Sequence, residues 1–202
     1  MVESRCGELC SQCEYKDKNN CAGCLNIDKP FWGDSCPLKD CCEGRGLDHC
    51  GQCPDFPCNT LTEMAYDEEV GGNGKRIETC RKWYIESFVQ AVAKQNADAL
   101  RKYFTTDAVI CWHDSNEQFT VDEYIRANCE YPGDWNGEVQ RVEKIEGGIV
   151  IVTKIFSNES THLVTAFATL AEGKISRLDE YYSDCNEAPK WRKDMKIGKP
   201  IK

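Results

Sequence analysis

The chain is short of positive charge, of apolar runs and of the residues that open a secreted protein. Lysine and arginine number 25 against 34 aspartates and glutamates, leaving a net charge of −9. Binding to nucleic-acid phosphates draws on a basic stripe that releases counterions, and no such stripe is visible, so no DNA or RNA partner is expected. Residues 1–58 carry the same imbalance, six basic residues against ten acidic ones. No apolar run approaches the roughly 20 residues of a spanning helix, so no membrane association is expected. The opening Met1-Val2-Glu3-Ser4-Arg5 lacks the basic, apolar and small-residue order of a secretory signal, and the expected compartment is the reducing cytoplasm.

Cysteine is what the chain has in excess. Of 15 cysteines, eleven fall at positions 6, 10, 13, 21, 24, 36, 41, 42, 50, 53 and 58. With few large apolar residues between them, this segment needs metal or disulfides to fold. In a reducing compartment closely spaced cysteines hold metal or do redox work rather than form disulfides. Cys10-x-x-Cys13, Cys21-x-x-Cys24 and Cys50-x-x-Cys53 are loops that let two thiolates reach one ion near tetrahedral angles. The first two pairs together suit one closed four-thiolate zinc site. A second site draws on Cys36, Cys41, Cys42, Cys50, Cys53 and Cys58, with His49 as a possible substitute, which leaves six cysteines for four places. Cys6 is a spare or displaces a member of the first set. About two zinc ions are expected, closed and structural. Cys6-x3-Cys10-x2-Cys13 also matches the spacing of radical S-adenosylmethionine enzymes, in which three thiolates hold an iron–sulfur cluster. The cysteines that follow at once, and the lack of a repeating strand–helix pattern, count against that reading.

The run Gly46-Leu47-Asp48-His49-Cys50-Gly51-Gln52-Cys53-Pro54-Asp55-Phe56-Pro57-Cys58, with Cys6-Gly7-Glu8-Leu9-Cys10-Ser11-Gln12-Cys13 and Cys36-Pro37-Leu38-Lys39-Asp40-Cys41-Cys42 before it, resembles a small cysteine-rich domain of unknown function. The resemblance covers about residues 3–80 and implies metal binding without an established activity. Asp67 to Lys75, acidic and then glycine-rich, reads as a flexible connector: no strand precedes its glycines and no Gly-Lys-Ser/Thr follows, so it is not a phosphate loop. The expected organisation is a cysteine-rich domain at 1–66, a linker at 67–76 and a second domain at 77–202.

Beyond the linker, Ile77, Cys80, Tyr84, Phe88, Ala91 and Gln95 recur at three- and four-residue spacing, predicting a long amphipathic helix ending near Asn96. A short helix is expected from Ala97 to about Phe104, then a strand over 107–112. Thr120 and Glu123 form a capping box for a helix from Val121 to about Cys129. Strands are expected at 138–146, 149–157, 161–170 and 174–183, with turns at Gly147-Gly148 and Ala171-Glu172-Gly173. The fold class is α+β, a curved antiparallel sheet wrapped around a long helix.

Phe104-Thr105-Thr106-Asp107-Ala108-Val109 and the ending Gly173-Lys174-Ile175-Ser176-Arg177-Leu178-Asp179-Glu180-Tyr181-Tyr182 resemble the nuclear transport factor 2-like or SnoaL-like superfamily. The resemblance implies a cone with a pocket at its open end, and a homodimer. It selects no activity, since the superfamily holds isomerases, cyclases, dehydratases and proteins that only bind. In its steroid isomerases a catalytic carboxylate lies where this chain has Trp112, which speaks against that chemistry.

A hairpin symmetric about Glu172 sets Glu180 across from Val164, Tyr182 across from His162 and Leu178 across from Ala166, all on one face. The resemblance puts that face inside the cone. His162, Glu180 and Tyr182 are the candidate acid–base group, because burial brings both His and Glu toward neutrality; the plainer alternative is a hydrogen-bonded lining without chemistry. Trp83, Trp112, His113, Asp114, Tyr131, Trp135, Val164 and Leu178 are the candidate pocket residues for a small, partly apolar molecule. The competing expectation is a zinc-dependent interaction module, or a metal or redox sensor, that the cone dimerises.

Overall fold

The computed structural model describes residues 1–201. Its N-terminal third is built of short pieces: single turns at Cys10–Gln12, Cys24–Asn26 and Cys50–Gln52, and helices α1 (Tyr15–Lys18), α2 (Pro37–Gly44) and α3 (Asn59–Ala65). Two of the turns open a C-x-x-C pair, and Pro37 takes the first position of α2, where its missing N–H costs nothing. Neither α2 nor α3 was expected from the cysteine pattern.

Helix α4 (Lys75–Ala93) is the long element, about 28 Å at the helical rise. Its two halves lie in different cores. Ile77, Cys80 and Trp83 pack with Cys6, Leu38, Cys42, Cys50, Leu61 and Ala65. Ile85, Phe88, Val89 and Ala91 pack against the sheet. Residues 67–74, expected as a flexible connector, are a hydrogen-bonded turn: Gly71 N–H donates to Asp67 and Gly74 N–H to Ala65, which brings α3 back onto α4.

The remaining elements are α5 (Ala97–Arg101), β1 (Phe104–Trp112), β2 (Glu117–Phe119), α6 (Val121–Cys129), β3 (Asn136–Ile145), β4 (Gly148–Phe156), β5 (Thr161–Ala171), β6 (Lys174–Asp184) and α7 (Lys190–Asp194). The capping box at Thr120 and Glu123 is present in both directions. The strands form one sheet in the order β2-β1-β6-β5-β4-β3. It is mixed rather than antiparallel. The three meander pairs are antiparallel, but β1 runs parallel to β6, the chain between them passing through α6 and four intervening strands.

The β5–β6 hairpin turns through Glu172 and Gly173, both at positive φ, the backbone of a two-residue turn that follows strand twist. Leu170 pairs with Ile175, but Thr169 pairs with Arg177, so Ser176 is an extra residue bulged out of β6. The bulge lets Ile175 and Leu178 both face the core. Together with a turn centred between Glu172 and Gly173 rather than on Glu172, it moves the register two residues from the symmetric expectation: Glu180 lies across from Ala166, Tyr182 from Val164 and His162 from Asp184. A shift of two preserves which side chains share a face.

The cysteine-rich segment sits against the base of this sheet. A Cβ on Gly173 would lie 3.0 Å from Pro54 Cα, and Tyr84 donates to the Gly173 carbonyl at 3.1 Å. At Gly51 a Cβ would meet the Cys80 carbonyl oxygen at 2.4 Å, so only glycine allows the Cys50 turn to lie on α4. Gly51→Ala is expected to cost about 1–3 kcal/mol by overpacking and to lower Tm by several degrees. Thermal unfolding followed by circular dichroism checks this, and an unchanged Tm would mean the contact is not tight.

Candidate functional site

The parallel pairing of β1 with β6 sets Trp112 beside Glu180. The indole Nε1–H donates to Glu180 Oε2 at 2.7 Å. Tyr182, two residues along β6, reaches the same oxygen at 3.4 Å, and Tyr124 of α6 reaches Oε1 at 3.5 Å. Glu180 is only 5% exposed. Burial pushes its carboxyl up to about 7, against the pull of the three donors, and the charge of Asp114 adds to the rise. Tyr124 and Tyr182 are held well above the ordinary phenol value, by burial first and by the Glu180 charge second, so both remain donors.

In front of this buried carboxyl opens a pocket of about 330 Å³. Trp112 and Tyr182, 5.6 Å apart and edge to face, form the wall next to Glu180. Tyr131 and Trp135, from the loop after α6, form a second aromatic wall, with Val92 and Ile155 between. The Trp135 N–H donates to the Pro132 carbonyl at 2.9 Å, which fixes the indole. His162 lines the pocket 5.6 Å from Trp135, and its Nδ1 shares a hydrogen bond with Asp184 at 2.8 Å.

These placements revise the expected acid–base group. Glu180, Tyr182 and His162 share the inner face, but Glu180 and His162 stand four residue pairs apart, roughly 13 Å along the strands. The carboxylate partner of His162 is Asp184, which the symmetric hairpin had left unpaired. Trp112, Asp114, Tyr131 and Trp135 do line the pocket. His113 does not: alternation along β1 turns it to the outer face, where it stacks on Tyr181 at 4.4 Å and bonds Asp179 at 2.8 Å. Trp83 is also absent from it, because it lies on the half of α4 that packs edge to face with His49, 5.6 Å away in the cysteine-rich core. Val164 and Leu178 face inward but are buried under other side chains and reach no ligand space. The residues missed include Tyr124, Asn128, Ile155 and Asp184, from α6 and from strand ends, and Val92 and Ala93 at the end of α4. For Tyr124 and Asn128 the one available signal was their spacing from the capping box.

In the cysteine-rich segment, the Cys24 N–H donates to the Cys10 sulfur and the Arg5 N–H to the Cys24 sulfur, bonds that favour thiolates, although burial raises both thiols overall. Cys6, Cys10 and Cys36 are the thiol neighbours of Cys24. Cys13, Cys21, Cys53 and Cys58 are partly exposed, and Cys41 is exposed. Cys42 and Cys50 are buried with their sulfurs 3.5 Å apart. Among the described residues no three His, Cys, Asp or Glu side chains converge on a metal-holding position. His49 is held as a neutral ring. Its Nδ1 accepts the Gly51 N–H at 3.1 Å, so in the neutral ring the proton sits on Nε2, and burial lowers its pKa to about 4.

The Glu180 carboxyl predicts a pH signature. With a folded pKa near 7 and an ordinary value of 4.5, the native state holds a proton that the unfolded chain has lost, so stability falls as pH rises through that window. Relative to Glu180→Gln, the natural protein is expected to lose about 3 kcal/mol between pH 4.5 and pH 7.5. Urea unfolding of both proteins across that range tests it; parallel curves would show that Glu180 titrates normally.

Residues 2–63 match the family described as "Protein of unknown function (DUF3795)". None of the curated proteins compared matches the chain. Among solved structures, a candidate ketosteroid isomerase from Kribbella flavida DSM 17836 is 19% identical, covering 58% of this chain and 87% of that one at a TM-score of 0.50. An NTF-2 like protein of unknown function from Burkholderia xenovorans LB400 is 21% identical, covering 59% and 94% at a TM-score of 0.50. At such identities the likeness is one of fold: the chain joins a segment similar to the first family to an α+β cone of the NTF2-like kind.

Proposed function

We propose that the protein binds a small, partly apolar molecule in the pocket between α4, α6 and the inner face of the sheet. The observation that carries this reading is a 330 Å³ pocket walled by Trp112, Tyr131, Trp135 and Tyr182, with polar groups at fixed places among them. Acid–base work, where it occurs, falls to two separate groups. His162, oriented by Asp184, is the general base; Tyr182, whose O–H is donated to Glu180, offers the pocket an acceptor oxygen. Glu180 itself lies behind the wall, so its part is to set the polarity of Tyr182 and Trp112.

Zinc is proposed for the cysteine-rich segment on the strength of its three C-x-x-C pairs and of the N–H donors to Cys10 and Cys24. The thiols would have to draw together around the ion. Homodimerisation through the outer sheet face belongs to the same proposal, supported by Phe167 and Tyr181, which remain 43% and 46% exposed there. The cytoplasm is the proposed compartment, on the abundance of thiols.

Binding is tested with the neutral aromatic probe 2-naphthol, followed by tryptophan fluorescence. Saturable binding is expected, weakened about three- to tenfold by Tyr131→Ala, a change at a ring 56% exposed that leaves the fold intact. No saturable binding would sink the reading. Elemental analysis and an absorbance spectrum of anaerobically purified protein should give about two zinc ions per chain and no colour. Iron with a brown colour would instead move attention to Cys6, Cys10 and Cys13.

A further inference from the structure

The pocket lining is lopsided in charge. Asp114 and Asp184 are both part of it, and neither lysine nor arginine is. Four of its side chains are aromatic rings of the kinds whose faces attract cations: Trp112, Tyr131, Trp135 and Tyr182. The Asp114 charge is felt at both Glu180 and Tyr182, so the negative field reaches the aromatic wall rather than stopping at the rim. An anionic ligand would meet two carboxylates, only one of them bonded to a basic group, Asp184 to His162 at 2.8 Å, and no lysine or arginine. A wholly apolar ligand would strip water from them and offer nothing in exchange. An organic cation matches the rings and the carboxylates together, and the low-polarity walls strengthen both attractions.

Resting on the small-molecule reading above, we propose that the ligand is an organic cation, with an alkylammonium head held among Trp112, Tyr131, Trp135 and Tyr182 and facing Asp114 and Asp184. Its apolar body lies against Val92 and Ile155. A quaternary head suits this site better than a primary amine. It is weakly hydrated, so it gives up little on entering an aromatic enclosure, and the carboxylates then act through charge rather than through donated hydrogen bonds.

The test compares benzyltrimethylammonium with its uncharged carbon isostere neopentylbenzene, on the full chain at low salt, by tryptophan fluorescence. The cation is expected to bind about tenfold or more tightly. Asp114→Asn and Asp184→Asn, both on exposed side chains, should each shrink that preference. Equal affinities, or a preference for the isostere, would overturn the cation assignment and leave the pocket reading standing. A preference that neither variant moves would overturn it as well, by placing the cation elsewhere. Binding of neither compound would overturn this inference and the pocket reading together.

Discussion

Helix α4 is buried along its whole length against two unrelated surroundings, and the rest of the molecule is arranged around that fact. A helix with one apolar stripe normally serves one core. Here the residues that face the cysteine-rich segment, Ile77, Cys80 and Trp83, lie in the first three turns. Those that face the sheet, Ile85, Phe88 and Val89, occupy the turns that follow. The cysteine-rich segment gains from α4 the large apolar surface that its own sequence lacks. The sheet gains a helix whose start is fixed by groups outside the cone, since Arg76 of the first turn bonds Cys6 and pairs with Glu8.

The pocket depends on a second constraint, the parallel contact of β1 with β6. That contact alone sets an indole N–H on a buried carboxyl, and Tyr124 from α6 completes the set of donors. A carboxyl this deep is tolerated because three donors face it, and they are not enough to hold it at an ordinary pKa. The aromatic wall in front is therefore both a lining for ligand and the lid over an internal acid.

Much of the cone was legible in the sequence, and the reasons are particular. Thr120 and Glu123 announce α6 because a capping box is a local interaction. Gly173 announces the last hairpin because glycine takes a positive φ without cost, although the turn is the pair Glu172-Gly173 and Ala171 stays in the strand. The inner and outer faces of β5 and β6 were right although the register was off by two, since parity survives an even shift. What escaped depends on contacts between distant parts of the chain. Nothing local marks Ser176 as a bulge, and so nothing local pairs His162 with Asp184. His113 and Trp83 were placed at the pocket by their chemistry, but strand alternation and the shared helix decide otherwise. Cysteine spacing along the chain says which thiols are neighbours in sequence; in space Cys24 has Cys6, Cys10 and Cys36 beside it.

The shared helix also bears on what counts as a unit of this protein. A fragment beginning at residue 77 would carry Ile77, Cys80 and Trp83 into water with no partner. A fragment ending at residue 66 would leave Leu38, Leu61 and Cys42 uncovered on their open side. Two segments that read as separate in composition thus hold one another's surfaces closed. Any lineage that exchanged one segment for another would have had to carry the first turns of α4 along with it.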